Sequence, residues 1–473
     1  MCDLFKILFV FIFILFQHYS EAQQSDSLSD YLKIAAANNA GLKSEFLKYS
    51  ASLEKTNQVG SLPDPQLEVG FFLKPMEIYS GNQIADIKLM QMFPWFGALK
   101  TAKDEASKMA ASNLENFFSY RNELFFNIKS VYYKLYQAKK EIEITEDNIK
   151  ILKSIEQLVL IKYQSNSGNN STSTDAGLNI GSNSQTNGTT SMGSMGNSSQ
   201  PGGNNSSASS NSGSMQSSAS SMSGGQNQML NLLRIQMEIN SLENNLALLK
   251  DKFKTEKTGF NRYLNRLPDS EVFIEDSLRE VKLSVDLYSL MDSLSNNPMI
   301  KMYLADSAAY TARMKMIKRM SYPMVGIGVN YTLISKSEMS VSMMNGKDMI
   351  MPMVTLSLPI YRKKYNSMIR EAEYLRDAAK NSSVNSTQDI RVSFQQAIQN
   401  LNDAERRFLL YSKQSDLAEK SLSILVTSFS ANGSDFEEIL RMEQQLLDFK
   451  FKKIEAITDK NSIIAELMFL TGN

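Results

Sequence analysis

The 473-residue sequence holds one cysteine and one histidine, Cys2 and His18, and both lie in an N-terminal stretch that reads as a secretory signal. Lys6 precedes an apolar run from Ile7 to Phe16, and the polar stretch behind it ends in Ser20-Glu21-Ala22, with small residues at the cleavage positions. Residues 1–22 are expected to be removed, leaving a mature chain, 23–473, without thiol or imidazole. This excludes Cys or His zinc sites, thiol nucleophiles, structural disulfides and a Ser-His-Asp triad. A Ser-Lys or carboxylate pair stays open as the minority route to catalysis; the chain is read as no enzyme and as carrying no cofactor. Cys2 stands ahead of the apolar run, where a lipid-acceptor cysteine would not be.

Charge of either sign is not in excess. Lysine plus arginine number 50 and aspartate plus glutamate 50, so there is no net field to draw in nucleic acid or an anionic surface. Long hydrophobic runs are lacking too. The run Ile7–Phe16 is too short to span a bilayer, and nothing after it approaches twenty apolar residues. A helical membrane protein is excluded, whereas a β-barrel is not.

What the sequence does contain is a repeat. In one ungapped register Asn38-Asn39 matches Asn296-Asn297, Pro65 matches Pro323, Leu67 matches Val325, Val69 matches Ile327 and Gly70 matches Gly328. Further on, Phe93-Pro94-Trp95-Phe96 matches Leu358-Pro359-Ile360-Tyr361, and Phe429-x-x-Asn432-Gly433 resembles Tyr163-x-x-Asn166 followed by Gly168. The chain is two copies of one unit, 23–266 and 285–473, each reading helix, two strands, long helix, shorter helix. Helices are expected over Leu28–Gln58, Leu99–Tyr163 and Met229–Arg266, then Val285–Met320, Lys363–Ser430 and Asp435–Leu470. The middle helix of each copy would be roughly 100 Å long, with the two shorter ones stacked beside it as a rod of coiled helices.

The expected strands, Leu67–Lys74, Ile84–Phe93, Met324–Ile334 and Met351–Leu358, have about the length of tilted membrane strands. Leu67, Val69, Phe71 and Leu73 share one side, as do Ala85, Ile87, Leu89 and Phe93. In the second copy Val325, Ile327, Val329, Tyr331 and Leu333 do so, and Val354, Leu356 and Leu358. Glu68, Lys74, Asp86, Lys88, Gly326, Gly328, Asn330, Thr332, Thr355 and Ser357 lie opposite. Apolar outside and polar inside is the pattern of a transmembrane barrel, with Trp95, Phe96 and Tyr361 placed for an interface belt. Four strands cannot close a barrel with a lumen, and lipid tolerates no open edge, so the chain must oligomerise. A soluble two-hairpin cap on a coiled coil, its apolar faces packed together, is the alternative.

The order of elements, the duplication, and the stretches "LPDPQLEVGF" and "QMFPWFGALKTAKDEA" resemble the TolC family of outer-membrane efflux factors, over nearly the whole mature chain except Ser165–Gln228. The wording is most like the CusC and CzcC heavy-metal branch as it occurs in Bacteroidetes. The resemblance implies a mainly α fold with a small β part: a long antiparallel helical barrel, with four strands per chain completing a twelve-stranded barrel in a homotrimer. It implies an outer-membrane location with a helical tunnel in the periplasm. The partners implied are a periplasmic adaptor (membrane fusion) protein, an inner-membrane RND pump and outer-membrane lipid, with no nucleic acid. The exported solute would be a heavy-metal ion such as copper or silver, or cobalt, zinc or cadmium. The same channel type also serves multidrug efflux and type I secretion, and a soluble secreted coiled-coil scaffold is the competitor from another class.

In TolC itself carboxylates early in the last helix ring the closed entrance and bind cations. Aligning "FEEIL" places Glu438 on one of those positions and Arg441 on the other, with Asn231 and Arg234 at the matching places of the first copy. The resemblance therefore implies a Glu438 ring with neighbouring arginines; the alternative is ordinary solvated helix residues. Asp435 is a reasonable N-cap for that helix.

The insert 165–228 is almost entirely Ser, Asn, Gly, Thr and Gln, cannot bury a core, and is expected to be disordered at a helix tip. It carries Met192, Met195, Met215 and Met222, whose soft thioethers suit Cu(I) or Ag(I). Either the segment collects metal, or methionine has drifted into a tolerant loop. The same pair of readings applies to Met339, Met343, Met344, Met349, Met351 and Met353 in the second strand connection.

Overall fold

A computed structural model describes residues 27–168, 223–278, 287–339, 341, 343–432 and 436–472. The expected signal, the body of the insert with Met192, Met195, Met215 and Met222, and the turn holding Gly433 and Asp435 lie outside these residues. In chain order the elements are α1 (Leu28–Asn38), α2 (Ala40–Gly60), β1 (Gln66–Ile78), β2 (Gly81–Phe93), α3 (Ala98–Gly168) and α4 (Ser223–Leu264) in the first copy. Then follow α5 (Leu287–Ser293), a short 3₁₀ turn (Leu294–Asn296), α6 (Pro298–Met320), β3 (Met324–Ser335), β4 (Met349–Ser357), α7 (Arg362–Asn432) and α8 (Phe436–Thr471). The order matches the expected one in both copies, and α3 and α7 have 71 residues each.

The first helix of each copy differs from expectation: it breaks, at Asn39 and again at Asn297. These are the paired asparagines of the repeat, and they adopt nearly the same backbone, φ −63°, ψ 119° and φ −56°, ψ 128°. Each caps the helix that follows, Asn39 accepting from the Leu42 N–H at 2.9 Å and Asn297 from the Met299 N–H at 2.9 Å. Each amide nitrogen then donates to a carbonyl at the end of its own copy's last helix, Tyr263 O at 2.9 Å and Leu470 O at 3.0 Å. One side chain thus satisfies a helix start and a helix end together. The unbroken helices expected over Leu28–Gln58 and Val285–Met320 gave way because a capping residue that makes this pair of hydrogen bonds stands outside the helical backbone region.

The chain divides into two compact units. The first takes the described parts of Met1–Ile144, Leu248–Asp416 and Asp448–Asn473; the second those of Thr145–Ala247 and Leu417–Leu447.

In the first unit, Leu124, Ile128, Val131, Leu135 and Ala138 of α3 follow four- and three-residue steps, and so do Ile390, Phe394, Ala397, Leu401 and Ala404 of α7. This is the heptad seam of coiled helices. The α3 seam packs with Tyr31 and Phe260, both fully buried and edge-to-face at 5.1 Å. The hydroxyls of Tyr31, Tyr132 and Tyr136 accept from the backbone N–H groups of Phe273, Glu275 and Leu278 at 2.8, 3.3 and 3.2 Å. Three tyrosines thereby fix the extended strap that leads out of the first copy.

The strands form one antiparallel sheet in the order β1-β2-β3-β4, leaving β1 and β4 as open edges. Each hairpin was expected; the β2–β3 pairing that joins the two copies, from Asn82↔Ser335 to Phe93↔Val325, was not. β1 runs to Ile78, longer than expected, with an irregularity between Phe71 and Met76, and β2 has one between Gln83 and Ala85.

In the second unit the buried residues are Leu152, Ile155 and Val159 of α3, Ile235, Ile239 and Leu242 of α4, Leu422 and Phe429 of α7, and Phe436, Ile439 and Leu446 of α8. Phe429 and Phe436, on either side of the turn, meet at 5.6 Å. Lys162 sits over the Phe429 ring at 4.8 Å and donates to the carbonyls of Phe429 and Ser430. A lysine at a helix C-terminus is favoured by the exposed carbonyls there.

Candidate functional site

The sheet has two unlike faces, and the cross-strand register shows how they arise. Rows on one face read Leu67–Leu89–Val329–Pro352 and Val69–Ile87–Tyr331–Ile350, with Ile327 opposite Val354 and Val325 opposite Leu356 further along. Leu67, Val69, Phe71, Leu73, Leu89, Ile327, Val329, Ile350, Val354 and Leu356 are all exposed. Contiguous exposed apolar surface of this kind marks contact with lipid or with another protein surface. Ala85, expected on this face, is only 2 % exposed. Its register partners are Phe71 and Leu333, and the β2 irregularity between Gln83 and Ala85 falls beside it.

The other face carries Glu68–Lys88–Asn330–Met351 and Gly70–Asp86–Thr332–Met349. Lys88 pairs with Glu68 at 3.3 Å, and Thr332 donates to Asp86 at 3.2 Å. Cross-strand pairs of opposite charge are modestly stabilising and keep this face wettable. At the end of the sheet Trp95 stacks on Tyr322 at 5.6 Å, with Phe96 beside it at 6.0 Å. Phe96, Ile360 and Tyr361 are exposed. The sequence reading singled out Trp95, Phe96 and Tyr361 at this end of the sheet but missed Tyr322, which precedes Pro323 outside the alternating pattern.

The methionine group of the second strand connection divides. Met339, Met343 and Met344 are exposed in the loop, whereas β4 begins at Met349 and takes Met349, Met351 and Met353 onto the polar face.

In the second unit the candidate gate residues lie on α4 and α8. Arg234 pairs with Glu437 at 3.1 Å, their side chains 51 % and 82 % exposed. Glu438 pairs instead with Arg441, one turn on. That hydrogen bond, with the carboxylate's charge, raises the Arg441 pKa above its ordinary value. Gln444 donates to Glu238 at 2.9 Å, and these side chains with Ser241 line a groove of about 550 Å³. The structure therefore brings Arg234 and Arg441 to one groove and gives each its own glutamate. Glu437 was missed because the alignment pointed only to Glu438. Asn231 is half-buried on α4. Next to Gln444 on α8, Glu443 is 2 % exposed and accepts from Asn148 of α3 at 2.8 Å.

Among the described residues no group of three or more His, Cys, Asp or Glu side chains could hold a metal ion, and no helix is long and apolar enough to cross a membrane.

No protein-family model matches the chain, and no curated protein matches its sequence. Solved structures do match. The outer-membrane channel OprN is similar with a TM-score of 0.66 at 14 % identity, over 95 % of this chain and 91 % of OprN. The outer membrane protein VceC from Vibrio cholerae is similar with a TM-score of 0.65 at 12 % identity, over 94 % of this chain and 96 % of VceC. CusC, described in connection with folding and transmembrane channel formation, is similar with a TM-score of 0.66 at 14 % identity, over 97 % of this chain and 96 % of CusC. At such identities the likeness speaks for the fold, and the chain has the fold of the TolC-like channels, long helices carrying a small antiparallel sheet.

Proposed function

We propose that this chain is the outer-membrane component of a tripartite efflux system, three copies closing a twelve-stranded barrel that continues into a periplasmic helical tunnel. The observation that carries the reading is the sheet: four strands, both edges unpaired, one face apolar and exposed. In lipid an open edge leaves backbone groups unsatisfied, and closure with further copies removes it. A barrel of antiparallel strands with an apolar band outside and polar groups inside follows. The adaptor and the inner-membrane RND pump would meet the second unit, whose exposed polar groove between α4 and α8 suits a polar helical partner.

The exported solute we read as a heavy-metal ion, such as copper or silver, or cobalt, zinc or cadmium. The support is the wording of "LPDPQLEVGF" and "QMFPWFGALKTAKDEA", which resembles the heavy-metal branch. A deletion strain losing tolerance to copper, silver, zinc or cobalt supports this narrower reading; loss of antibiotic tolerance alone replaces it with multidrug efflux.

The purified chain in detergent is expected to run as a heat-modifiable trimer and to open pores in planar bilayers. A monomer that stays soluble in plain buffer and forms no pore overturns the channel reading and favours the secreted scaffold. Glu438 and Arg441 would stand at the tunnel mouth. Because they neutralise one another, Glu438→Ala is expected to expose the Arg441 charge and lower cation selectivity and cation block, with the trimer intact. Unchanged selectivity and block would remove Glu438 from the mouth.

A further inference from the structure

The polar face of the sheet gathers thioethers over two glycines. In the register Met90 stands across Gly328 from Met353, and Met92 across Gly326 from Thr355. Neighbouring strands are about 4.8 Å apart, so side chains on the flanking strands can meet only where the strand between them carries no side chain. Gly326 leaves that space, and at Gly328 the β2 backbone itself comes close, since a Cβ there would lie 2.6 Å from Leu89 O. A Cβ built on Gly326 would lie 2.6 Å from Met92 Sδ and 3.4 Å from Met90 Sδ, so the two sulfurs are within 6.0 Å of each other. Met90 is only 7 % exposed, and Met353 is half-buried on the far side of Gly328. Asn330, two residues on from Gly328 and on the same face, has a buried side-chain oxygen with no hydrogen-bond partner among the described residues.

We infer that Met90, Met92 and Met353 form a binding site for a soft monovalent cation, Cu(I) or Ag(I), on the polar face of the sheet. Thioethers are neutral, polarisable donors that favour such ions over Zn(II), Mg(II) or Ca(II), which take nitrogen, oxygen or thiolate ligands. The nearest charged row is already paired, Lys88 with Glu68, so no net carboxylate charge draws a hard divalent ion to the place. Two sulfurs above Gly326 already meet the low coordination number these ions accept, and Met353, register partner of Gly328 on the next strand, is the third thioether we assign to the site. The Asn330 oxygen supplies a polar neighbour. The site as a station for an exported ion rests on the channel reading, in which this face lines the lumen.

The test titrates Ag(I) into the full-length trimer in detergent and counts equivalents by calorimetry, with Cu(I) X-ray absorption to identify the donor atoms. The wild type is expected to bind with sulfur neighbours. Met90→Leu with Met92→Leu should remove one equivalent per chain, or weaken it at least tenfold, while the heat-modifiable trimer persists. Gly326→Ala keeps every sulfur but places a methyl 2.6 Å from the present position of Met92 Sδ, which must move, and it should weaken the same equivalent. Met339→Leu with Met343→Leu, in the exposed loop, should leave that equivalent unchanged. The site is overturned if the wild type binds no Ag(I) below millimolar concentration, or if the Met90/Met92 variant or Gly326→Ala binds as the wild type does. Loss of that equivalent in the loop variant also overturns it. A trimer that conducts yet binds no Ag(I) refutes the site and spares the channel reading; a chain that binds Ag(I) and forms no pore does the reverse.

Discussion

Replacing Ile327 and Val329 together by lysine is expected to abolish the heat-modifiable trimer and pore formation, while Ser357→Lys leaves both in place. Ile327 and Val329 are successive residues on the apolar face of β3, flanked by Leu89 of β2 and Val354 of β4, and all four are exposed. Under the channel account they are covered by acyl chains. A lysine on the lipid face costs about 2–4 kcal/mol at mid-depth and less near the interfaces, so a pair on one strand is a large fraction of the stability of a membrane barrel. Ser357 pairs with Met324 on the polar face, where a lysine remains in water. Heat-modifiability on gels and single-channel recording of the two variants check this. If the apolar faces were packed against one another in a soluble dimer, the double lysine would change its association in buffer, and neither variant would show a pore.

The second large effect is expected at Asn297. Its side chain caps α6 through the Met299 N–H and donates to the Leu470 carbonyl, and the residue is 5 % exposed. Asn297→Ala removes a cap, about 1 kcal/mol, and leaves a buried carbonyl without its partner, about 1–3 kcal/mol. A loss of about 2–4 kcal/mol in apparent unfolding free energy follows, measured by helical circular dichroism of the solubilised protein in denaturant. Asn297→Asp retains the cap acceptor but turns a buried carboxylate oxygen toward the Leu470 carbonyl oxygen, so it should destabilise at least as much as Asn297→Ala at neutral pH. Asn39→Ala, the counterpart in the first copy, should destabilise in the same direction and by less, because Asn39 is only half-buried. Asn297→Ala with a loss under about 0.5 kcal/mol would mean that the double hydrogen bond does not hold the helix ends together.

These two positions also show how much of the fold was legible in the residues. The repeat register alone paired Asn39 with Asn297, and the structure gives them nearly the same backbone and the same two kinds of bond, a helix cap and a donation to the end of the last helix. That they interrupt a helix was not legible. Apolar periodicity continues through Asn39, asparagine is a weak breaker, and the reason for the break is a carbonyl 224 residues away. The faces of the sheet were readable because strand alternation is local: Leu67, Val69 and Phe71 emerge exposed, as their spacing implies. The β2–β3 pairing was not, since both hairpins satisfy their own alternation without it. Only the register reveals that Met90 and Met92 lie over Gly326, because methionine counts as apolar and yet stands on the polar side. At α8, Glu438 was found by alignment and Glu437 was passed over. What distinguishes them is which arginine each reaches, a property of the packing of α4 on α8.

The exposed apolar face of β4 offers the most direct test of the central claim. The sequence has a single cysteine, Cys2, so with Cys2→Ser in the background single cysteines at Val354 and Thr355, neighbours on opposite faces, can each carry one fluorophore in the reconstituted protein. Quenching by brominated lipid is predicted to be strong at Val354→Cys and weak at Thr355→Cys. Weak quenching at Val354→Cys, or equal quenching at both positions, would contradict a sheet whose apolar side faces acyl chains.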